Sequence, residues 1–276
     1  AMKRFFVKQV VILLAAVWTI GCGGRETAVV EPSLEASTAR EIPANAPSCA
    51  NPTPAIAVDC TAQEAQILAA TVRLEITSYG ADGQAVSKQV GHGAVKNGRY
   101  LLTHNHYTIS LSTPPTDHQI LLSLFKASGE LILKDAPLTA FNVVVADAEA
   151  LLLDFGDYGG SGLFGIMGMA SATFKQGSDL ALTPSMEVAQ VDWDGTTAHV
   201  DWVKIERIIL DDDTPHLELA NFVLPGASGS PVFWNGYHIA NNWSRVTETN
   251  ADTGEAFHQF SVAALNSPQA VGALGA

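Results

Sequence analysis

The segment 225–231 places a serine between two glycines and ahead of a proline, in the order Pro-Gly-Ala-Ser-Gly-Ser-Pro. Glycine at 226 lets the backbone turn so that its N–H and that of Ser228 point at one spot, where they could hold the oxyanion of a tetrahedral intermediate. Ser228 is then a candidate nucleophile, and Gly226 and Ser228 form a candidate oxyanion hole. The alternative is an ordinary turn, because clusters of Gly, Ser and Pro commonly mark turns.

A second segment, 99–107, brings two histidines to the end of an apolar run: Arg-Tyr-Leu-Leu-Thr-His-Asn-His-Tyr. A β-strand that ends here delivers a histidine to a position where it can act as general base toward a serine hydroxyl. His104 and His106 compete for that role. They are also a candidate metal pair, but no carboxylate or third histidine follows at ligand spacing. We therefore expect no metal and no organic cofactor.

Composition limits the classes of function that these residues can serve. The chain has 276 residues, of which 47% are hydrophobic, so it can bury a full core. Its net charge of -13 argues against a nucleic-acid partner, because binding to phosphates needs clustered Lys and Arg. Three cysteines are too few for a disulfide scaffold and lack the pairing of a structural zinc site.

The first 22 residues are typical of an export signal. Basic residues precede an apolar stretch at 10–20, which is too short to span a bilayer comfortably. The stretch leads into Gly21-Cys22, which resembles a bacterial lipobox, so residues 1–22 are interpreted as a lipoprotein signal and Cys22 as the lipidated residue. A plain secretory signal cleaved nearby is the alternative. We expect the mature protein to contact the membrane only through this lipid.

Residues 23–60 are rich in Pro, Ala, Ser and Glu and sustain no apolar period, so they are expected to form a flexible tether. Cys49 and Cys60 lie at the end of this tether. Their spacing allows a small closed loop, and an exported chain meets oxidising conditions. A disulfide between them is predicted, with two unpaired thiols as the alternative.

From residue 61 onward the sequence favours short β-strands. The segment 71–79 alternates apolar and polar residues, and turn signals such as Asp82-Gly83, Asn97-Gly98 and Asp194-Gly195 separate strand-like runs. Helices are expected only at 62–70 and in the tail after residue 263. Because no helices alternate with the strands, a parallel α/β sheet is disfavoured. Two antiparallel β-barrels are predicted, at about 61–156 and 170–265, split by a Gly-rich crossing.

Taken together, the two reactive segments resemble those of bacterial serine proteases of the chymotrypsin fold, in the glutamyl-endopeptidase and HtrA-like group. The run 226–233 is similar to the nucleophile loop G-x-S-G-S/G-P, and 101–106 is similar to the segment L-T-x-x-H. That register selects His106 as the base. Gly91-His92-Gly93 resembles the G-x-G strand that precedes the histidine. The resemblance implies two six-stranded barrels, a short C-terminal helix, a domain at 61–276 and a polypeptide substrate.

The same resemblance implies an acidic residue that orients the histidine, and two positions compete for it. The family carries an aspartate at the start of a strand of the type D-x-A-L-L. Matching the apolar run 151–153 to that strand puts Glu149 at the acid position, whereas the shorter side chain of Asp147 is the usual partner. Both lie on one face of a strand, so either could approach His106. Asp147 is slightly favoured.

Four further residues correspond to the substrate-binding region of the family. Asn242-Trp243-Ser244 resembles the strand that borders the primary specificity pocket and pairs with the substrate backbone. Glutamyl endopeptidases typically have histidine where this chain has Asn242. Phe222 falls near the pocket base and is not acidic, so a trypsin-like preference for Arg or Lys is disfavoured. Simple core packing is the alternative role for Trp243.

These observations predict an exported, membrane-anchored serine endopeptidase with a Ser-His-acid triad. The alternative is a catalytically inactive homologue that binds peptides or another envelope component, which the uncertain acid keeps open. A structural envelope lipoprotein without any site is a third possibility.

Overall fold

The structure is a computed structural model that describes residues 49–50, 54–112, 116–210, 214–251 and 253–274. The predicted signal, the lipidation site Cys22 and most of the predicted tether lie outside the described residues. Within them, no helix has the length and apolar character needed to cross a bilayer.

The first sheet contains the first seven strands of the chain. They are β1 (Thr71–Tyr79), β2 (Ala85–Lys96), β3 (Tyr100–Thr103), β4 (Gln119–Lys126), β5 (Leu131–Pro137), β6 (Asn142–Ala146) and β7 (Leu151–Asp154). The order across the sheet is β5-β4-β1-β2-β3-β7-β6. Alternation in β1 buries Val72, Leu74 and Ile76 against the core of this sheet, as the period-two pattern predicts.

The second sheet contains the other seven strands. They are β8 (Thr173–Phe174), β9 (Glu187–Trp193), β10 (Ala198–Ile209), β11 (His216–Leu219), β12 (Pro231–Trp234), β13 (Tyr237–Thr249) and β14 (Ala256–Leu265). Their order is β12-β9-β10-β11-β14-β13-β8, and β12 also pairs with β13. That extra pairing closes a six-stranded antiparallel barrel, onto which β8 is added in parallel.

The predicted all-β class with two antiparallel barrels is confirmed, with one difference in detail. Six strands close the second barrel as expected. The first sheet curls without closing, because among the described residues its edge strands β5 and β6 make no pairing with each other.

The described residues form four α-helices, of which only the first is long. They are α1 (Pro54–Ala69), α2 (Thr108–Ser112), α3 (Gly162–Ile166) and α4 (Pro268–Ala273). Helix α1 begins at Pro54, earlier than the predicted start at residue 62, since proline at the first position gives up no hydrogen bond that the first turn needs. The predicted C-terminal helix is present as α4. Its N-cap is Ser267, whose hydroxyl accepts a hydrogen bond from the amide of Ala270.

An apolar layer joins the two sheets. Leu102 and Leu152 of the first sheet pack in one cluster with Val191 and Phe233 of the second. Helix α1 adds Ile67 to this cluster, and the C-terminal end of the chain adds Ala270 of α4 and Leu274, the residue after that helix. Burial of apolar area is the main favourable term in folding. The sheets are therefore held together by a dry interface, and the site described next lies where their loops meet.

The start of α1 is attached to the second barrel. A disulfide joins Cys49 to Cys60, with their Cα atoms 5.7 Å apart. The amides of Cys49 and Ala50 donate to the carboxylate of Glu187 on β9, at 2.7 and 3.3 Å. These contacts close the small loop and fix it against β9.

Candidate active site

The nucleophile loop, residues 220–230, connects β11 to β12 at the junction of the two sheets. The carbonyl of Ser228 accepts hydrogen bonds from the amide of His92 on β2 (2.9 Å) and from the hydroxyl of Tyr107 (3.1 Å). On the other side, the amide of Gly229 donates to the carbonyl of Asn242 on β13 (2.7 Å). Ser228 is therefore held by backbone contacts to both sheets.

Two positions in this loop accept only glycine. Gly226 has φ +101°, and a Cβ there would lie 2.8 Å from Cδ1 of Trp193. Gly229 has φ +78°, and a Cβ there would collide with Oγ1 of Thr103 and the carbonyl of His92. Both the left-handed backbone and the close approach exclude a side chain. The glycines around Ser228 thus let the loop lie directly on the first sheet.

The amides of Gly226 and Ser228, the candidate oxyanion hole, donate no hydrogen bond to any residue that the structure describes. The carbonyl of Gly226, by contrast, is engaged by Nδ1 of His92 at 3.0 Å. N–H groups without an internal partner are available to an incoming oxygen, and a pair of them stabilises developing negative charge.

Of the two candidate histidines, His106 contacts Ser228. It lies in a short 3-10 helix, Asn105–Tyr107, directly after β3. Its Nδ1 is 2.6 Å from the hydroxyl oxygen of Ser228. When Nε2 carries the proton of a neutral imidazole, Nδ1 is an acceptor and receives the serine O–H. This contact joins the first sheet's histidine to the second barrel's serine.

His104 has a supporting position. It is fully buried, and its Nδ1 accepts a hydrogen bond from the amide of His106 at 3.2 Å, which caps the 3-10 helix. Its ring meets the His106 ring edge-on, with the centroids 4.3 Å apart. On its other side it stacks on Trp243 at 5.8 Å. His104 thus fixes the backbone and the ring of the candidate base.

Burial controls the charge of both histidines. It lowers the pKa of His106 from 6.5 to about 4. Burial, with a smaller contribution from the neighbouring His106, also holds the pKa of His104 well below 6.5. At neutral pH both imidazoles are uncharged, so Nδ1 of His106 keeps the lone pair that proton abstraction requires.

The carboxylate of Asp147 is used for another purpose. Its Oδ1 accepts hydrogen bonds from the amides of Glu149 (3.0 Å) and Ala150 (2.7 Å), and its Oδ2 accepts from the hydroxyl of Ser267 (2.6 Å). Asp147 therefore shapes the turn between β6 and β7 and anchors the N-cap of α4. The structure shows no hydrogen bond between Asp147 and His106, so the expectation that Asp147 orients His106 stays a prediction.

Glu149 forms no hydrogen bond with His106 in the structure either. It is half-buried, and its pKa is raised by burial and by the neighbouring Asp147. Among the described residues, no carboxylate forms a hydrogen bond or ion pair with the imidazole of His106. The turn approaches the histidine only through Asn105, whose Nδ2 donates to the carbonyl of Ala148 at 2.5 Å.

The candidate substrate residues divide into two groups. Asn242 is buried, and its side chain accepts from Nε2 of Gln190 (2.5 Å) and donates to the carbonyl of Val191 (3.0 Å). Its side chain thus belongs to the interior of the second barrel, and only its backbone faces the nucleophile loop. Phe222 is half-buried beneath the guanidinium of Arg245, which lies 4.9 Å from the ring centroid.

Trp243 and Ser244 lie at an irregularity in β13. The pairing of β13 with β14 shifts register between Asn242 and Ser244, so Trp243 is the extra residue of a bulge. Its half-buried ring stacks on His104 and meets the ring of His216 edge-on at 6.0 Å. Ser244 is exposed. The tryptophan therefore joins the two sheets beside the site, while the residue after it faces solvent.

The contacts of His92 with the nucleophile loop were not predicted from the sequence. His92 was noted only as the middle of a Gly-His-Gly strand, yet it binds the nucleophile loop through its amide and its ring. Burial lowers its pKa to about 4. A histidine flanked by glycines inside a strand was the available signal, because small neighbours permit another backbone to approach closely.

The curled sheet, the closed barrel and the serine-histidine contact between them define the chymotrypsin-like fold of serine proteases. No family model matches the sequence, and no curated protein matches it. Solved structures do match. The HtrA-type protease AlgW with a decapeptide is 12% identical over 76% of this chain and 65% of that chain, with a TM-score of 0.50.

Two other solved structures are similar at slightly lower TM-scores. The active form of the Rv3671c protease from M. tuberculosis is 15% identical over 90% of this chain and 93% of that chain, with a TM-score of 0.48. Deg5 is 14% identical over 67% and 83%, with a TM-score of 0.49. The chain spans 58 to 65% of the length of the HtrA-type AlgW chains. At these identities the likeness shows the fold.

We expect the reactivity of Ser228 to follow the low pKa of His106. The imidazole accepts a proton only while neutral, and it stays neutral until the pH falls to about 4. The rate of fluorophosphonate labelling should therefore be nearly constant between about pH 8 and about pH 5 and fall below that range. His106→Ala should abolish labelling throughout. A midpoint near 6.5, the ordinary histidine value, would instead show that burial does not lower the pKa of this imidazole. Circular dichroism checks folding at each pH.

The two acids should differ in their effect on stability. Asp147→Ala should lower the free energy of unfolding by about 2 kcal/mol, because it removes hydrogen bonds to a carboxylate, and Ser267→Ala by about 1 kcal/mol. Glu149→Gln should not lower it, since the variant removes repulsion from Asp147. Urea unfolding measures all three. If Glu149→Gln instead slowed Ser228 labelling about ten-thousandfold, as loss of a triad acid does, Glu149 would be the acid and this assignment wrong.

Proposed function

We propose that this protein is an exported, membrane-anchored serine endopeptidase. The observation that carries the proposal is the 2.6 Å contact between Nδ1 of His106 and the hydroxyl of Ser228, across the junction of two sheets. The unengaged amides of Gly226 and Ser228 in the same loop complete the parts that acyl transfer needs: a nucleophile, a base and donors for the oxyanion.

The mechanism follows from these contacts. The hydroxyl of Ser228 attacks the substrate carbonyl while its proton passes to Nδ1 of His106. The amides of Gly226 and Ser228 bind the resulting oxyanion. His106 then gives the proton to the departing amine, leaving an acyl group on Ser228. Water attacks that ester by the same path in reverse, with His106 again taking and returning the proton. No step needs a metal or an organic cofactor.

The absence of a carboxylate beside His106 in the described residues affects the expected rate. In the serine-protease template, an acid fixes the tautomer and stabilises the positive imidazole, and its loss lowers turnover by about ten-thousandfold. Here His104 supplies the fixing function through its hydrogen bond and ring contact, but it supplies no negative charge. We therefore propose a slow enzyme with a Ser-His dyad.

A polypeptide is the proposed substrate. The HtrA-type protease AlgW has been solved with a decapeptide and with a tripeptide. In this chain, Ser244 is the exposed residue that follows the bulge at Trp243, where a substrate backbone could pair with β13. Arg245 over Phe222 adds a positive charge near the candidate pocket base, which disfavours substrates with Arg or Lys at the cleaved position.

Ser228→Ala should eliminate both fluorophosphonate labelling and peptide cleavage while the fold persists. The variant removes one hydroxyl from a half-buried site, so the free energy of unfolding should change by only about 0.5 kcal/mol. Ser230→Ala is the matched control: its buried hydroxyl has no hydrogen-bond partner in the described residues, so activity should remain. Full cleavage by Ser228→Ala would refute the mechanism. Binding of peptides without labelling or cleavage by the unaltered protein would support an inactive homologue instead.

Membrane anchoring is proposed from the signal-like segment 1–22 and its Gly21-Cys22 pair. In a bacterial host, Cys22→Ser should release the protein from the membrane fraction or leave an unprocessed precursor. The control is Cys49→Ser, which keeps Cys22 and should stay with the membrane. Mass spectrometry of the N-terminal peptide measures the lipid directly. Unchanged fractionation and unchanged mass in Cys22→Ser would defeat the claim.

A further inference from the structure

Three potential metal ligands converge on one face of the hairpin formed by β9 and β10. Asp192, His199 and Asp201 form this cluster, and their donor atoms all lie within 4.8 Å of one another. Register explains the arrangement. His199 pairs directly opposite Asp192 across the two strands, and Asp201 is two residues further along β10, on the same face. We refer to these three residues as the hairpin cluster.

Asp192 is a buried carboxylate without a cation. The residue is 7% exposed, and its Oδ1 accepts hydrogen bonds from the amides of Trp193 (2.7 Å) and Leu224 (3.4 Å). Its Oδ2 accepts none from the described residues, and no described Lys or Arg forms an ion pair with it. Burial is the main cause that raises its pKa, with a smaller contribution from Asp201. A buried charge normally has a partner or coordinates a metal.

We propose that the hairpin cluster binds a zinc ion, with one imidazole nitrogen and two carboxylate oxygens as protein ligands and water in the fourth position. Zinc takes nitrogen and oxygen donors at about 2.0 to 2.2 Å in a tetrahedral arrangement, which places its donors about 3.4 Å apart. The cluster must therefore contract by about 1 Å. His199 and Asp201 can move this far, because their side chains are 44% and 40% exposed, whereas Asp192 is fixed.

The donor set selects the class of metal. Imidazole suits zinc and other transition metals, whereas calcium takes six to eight oxygen ligands, which three side chains do not provide. Binding also has an energetic reason, since the ion neutralises the charge of a largely buried carboxylate.

The hairpin cluster lies behind the nucleophile loop. Asp192 receives the amide of Leu224, two residues before Gly226, and the next residue on β9, Trp193, packs against Gly226 itself. A zinc ion on Asp192 would therefore be attached to the loop that carries the candidate oxyanion hole. It would not touch the reacting groups.

Calorimetric titration of the metal-free full-length protein with zinc chloride tests the site. We expect one equivalent to bind, with Asp192→Asn and His199→Gln each weakening binding at least about tenfold. Calcium chloride should give no heat at the same concentrations. His258→Gln is the matched control: it removes a histidine that faces Glu206 at 2.8 Å on the same barrel without a third ligand, and zinc binding should be unchanged.

Three results would overturn the proposal: no zinc binding, binding that neither hairpin variant weakens, or binding that His106→Ala abolishes, which would place the ion at the candidate active site. His199 is partly exposed, so His199→Gln keeps the test valid if Asp192→Asn does not fold. Because the readout is metal binding, a lack of peptidase activity would leave this result unaffected.

Discussion

The carbonyl of Ser228 accepts two hydrogen bonds from the first sheet, and the arrangement of the site depends on them. The donors are the amide of His92 and the hydroxyl of Tyr107. They bring a loop of the second barrel into direct backbone contact with β2, which leaves no room for a side chain at Gly229. The same contact places the hydroxyl of Ser228 against His106, the residue before Tyr107. One carbonyl thus sets both the distance between the sheets and the approach of nucleophile to base.

Burial determines the electrostatics of the region around Ser228. It lowers the pKa values of His92, His104 and His106, so three imidazoles stay neutral at physiological pH. A neutral His92 can donate from Nδ1 to the carbonyl of Gly226, and a neutral His104 can accept from the amide of His106. The same burial makes His106 a weaker base, because an imidazole with a lowered pKa accepts the proton of Ser228 less readily in the transition state as well. Neutrality therefore fixes the geometry at the expense of rate.

Local patterns in the sequence predicted what local physics determines. Alternation located β1 at 71–79, and Asn97-Gly98 marked the hairpin between β2 and β3, where both residues take positive φ. The resemblance to the family segment L-T-x-x-H implied His106 rather than His104 as the base, and in the structure His106 contacts Ser228. For the strand and the turn, the residues that decide the structure lie within a few positions of the signal, whereas the contact of His106 with Ser228 joins distant parts of the chain.

Interactions between residues that lie far apart in the chain could not be predicted from the sequence. The donors that Asp147 binds in the structure are Ser267, far along the chain, and the amides of its own turn, and none of these contacts follows from the residues around it. No sequence pattern near Asp147 indicates that Ser267 is its hydrogen-bond partner. Likewise, Asn242 was grouped with the pocket by its position before Trp243, but its side chain is satisfied by Gln190 inside the barrel. The direction of such a side chain depends on which hydrogen-bond partners the folded chain brings close to it.

The attachment at Cys49 determines where a mechanical force on this segment would enter the fold. The carboxylate of Glu187 receives the amides of Cys49 and Ala50, the disulfide carries the same segment to Cys60 in α1, and Glu64 of that helix accepts from Nε1 of Trp202 on β10. A pull on residue 49 would thus be delivered first to β9 and β10 of the second barrel. Because β9 also holds the nucleophile loop through Asp192 and Trp193, that pull acts on the barrel that carries Ser228.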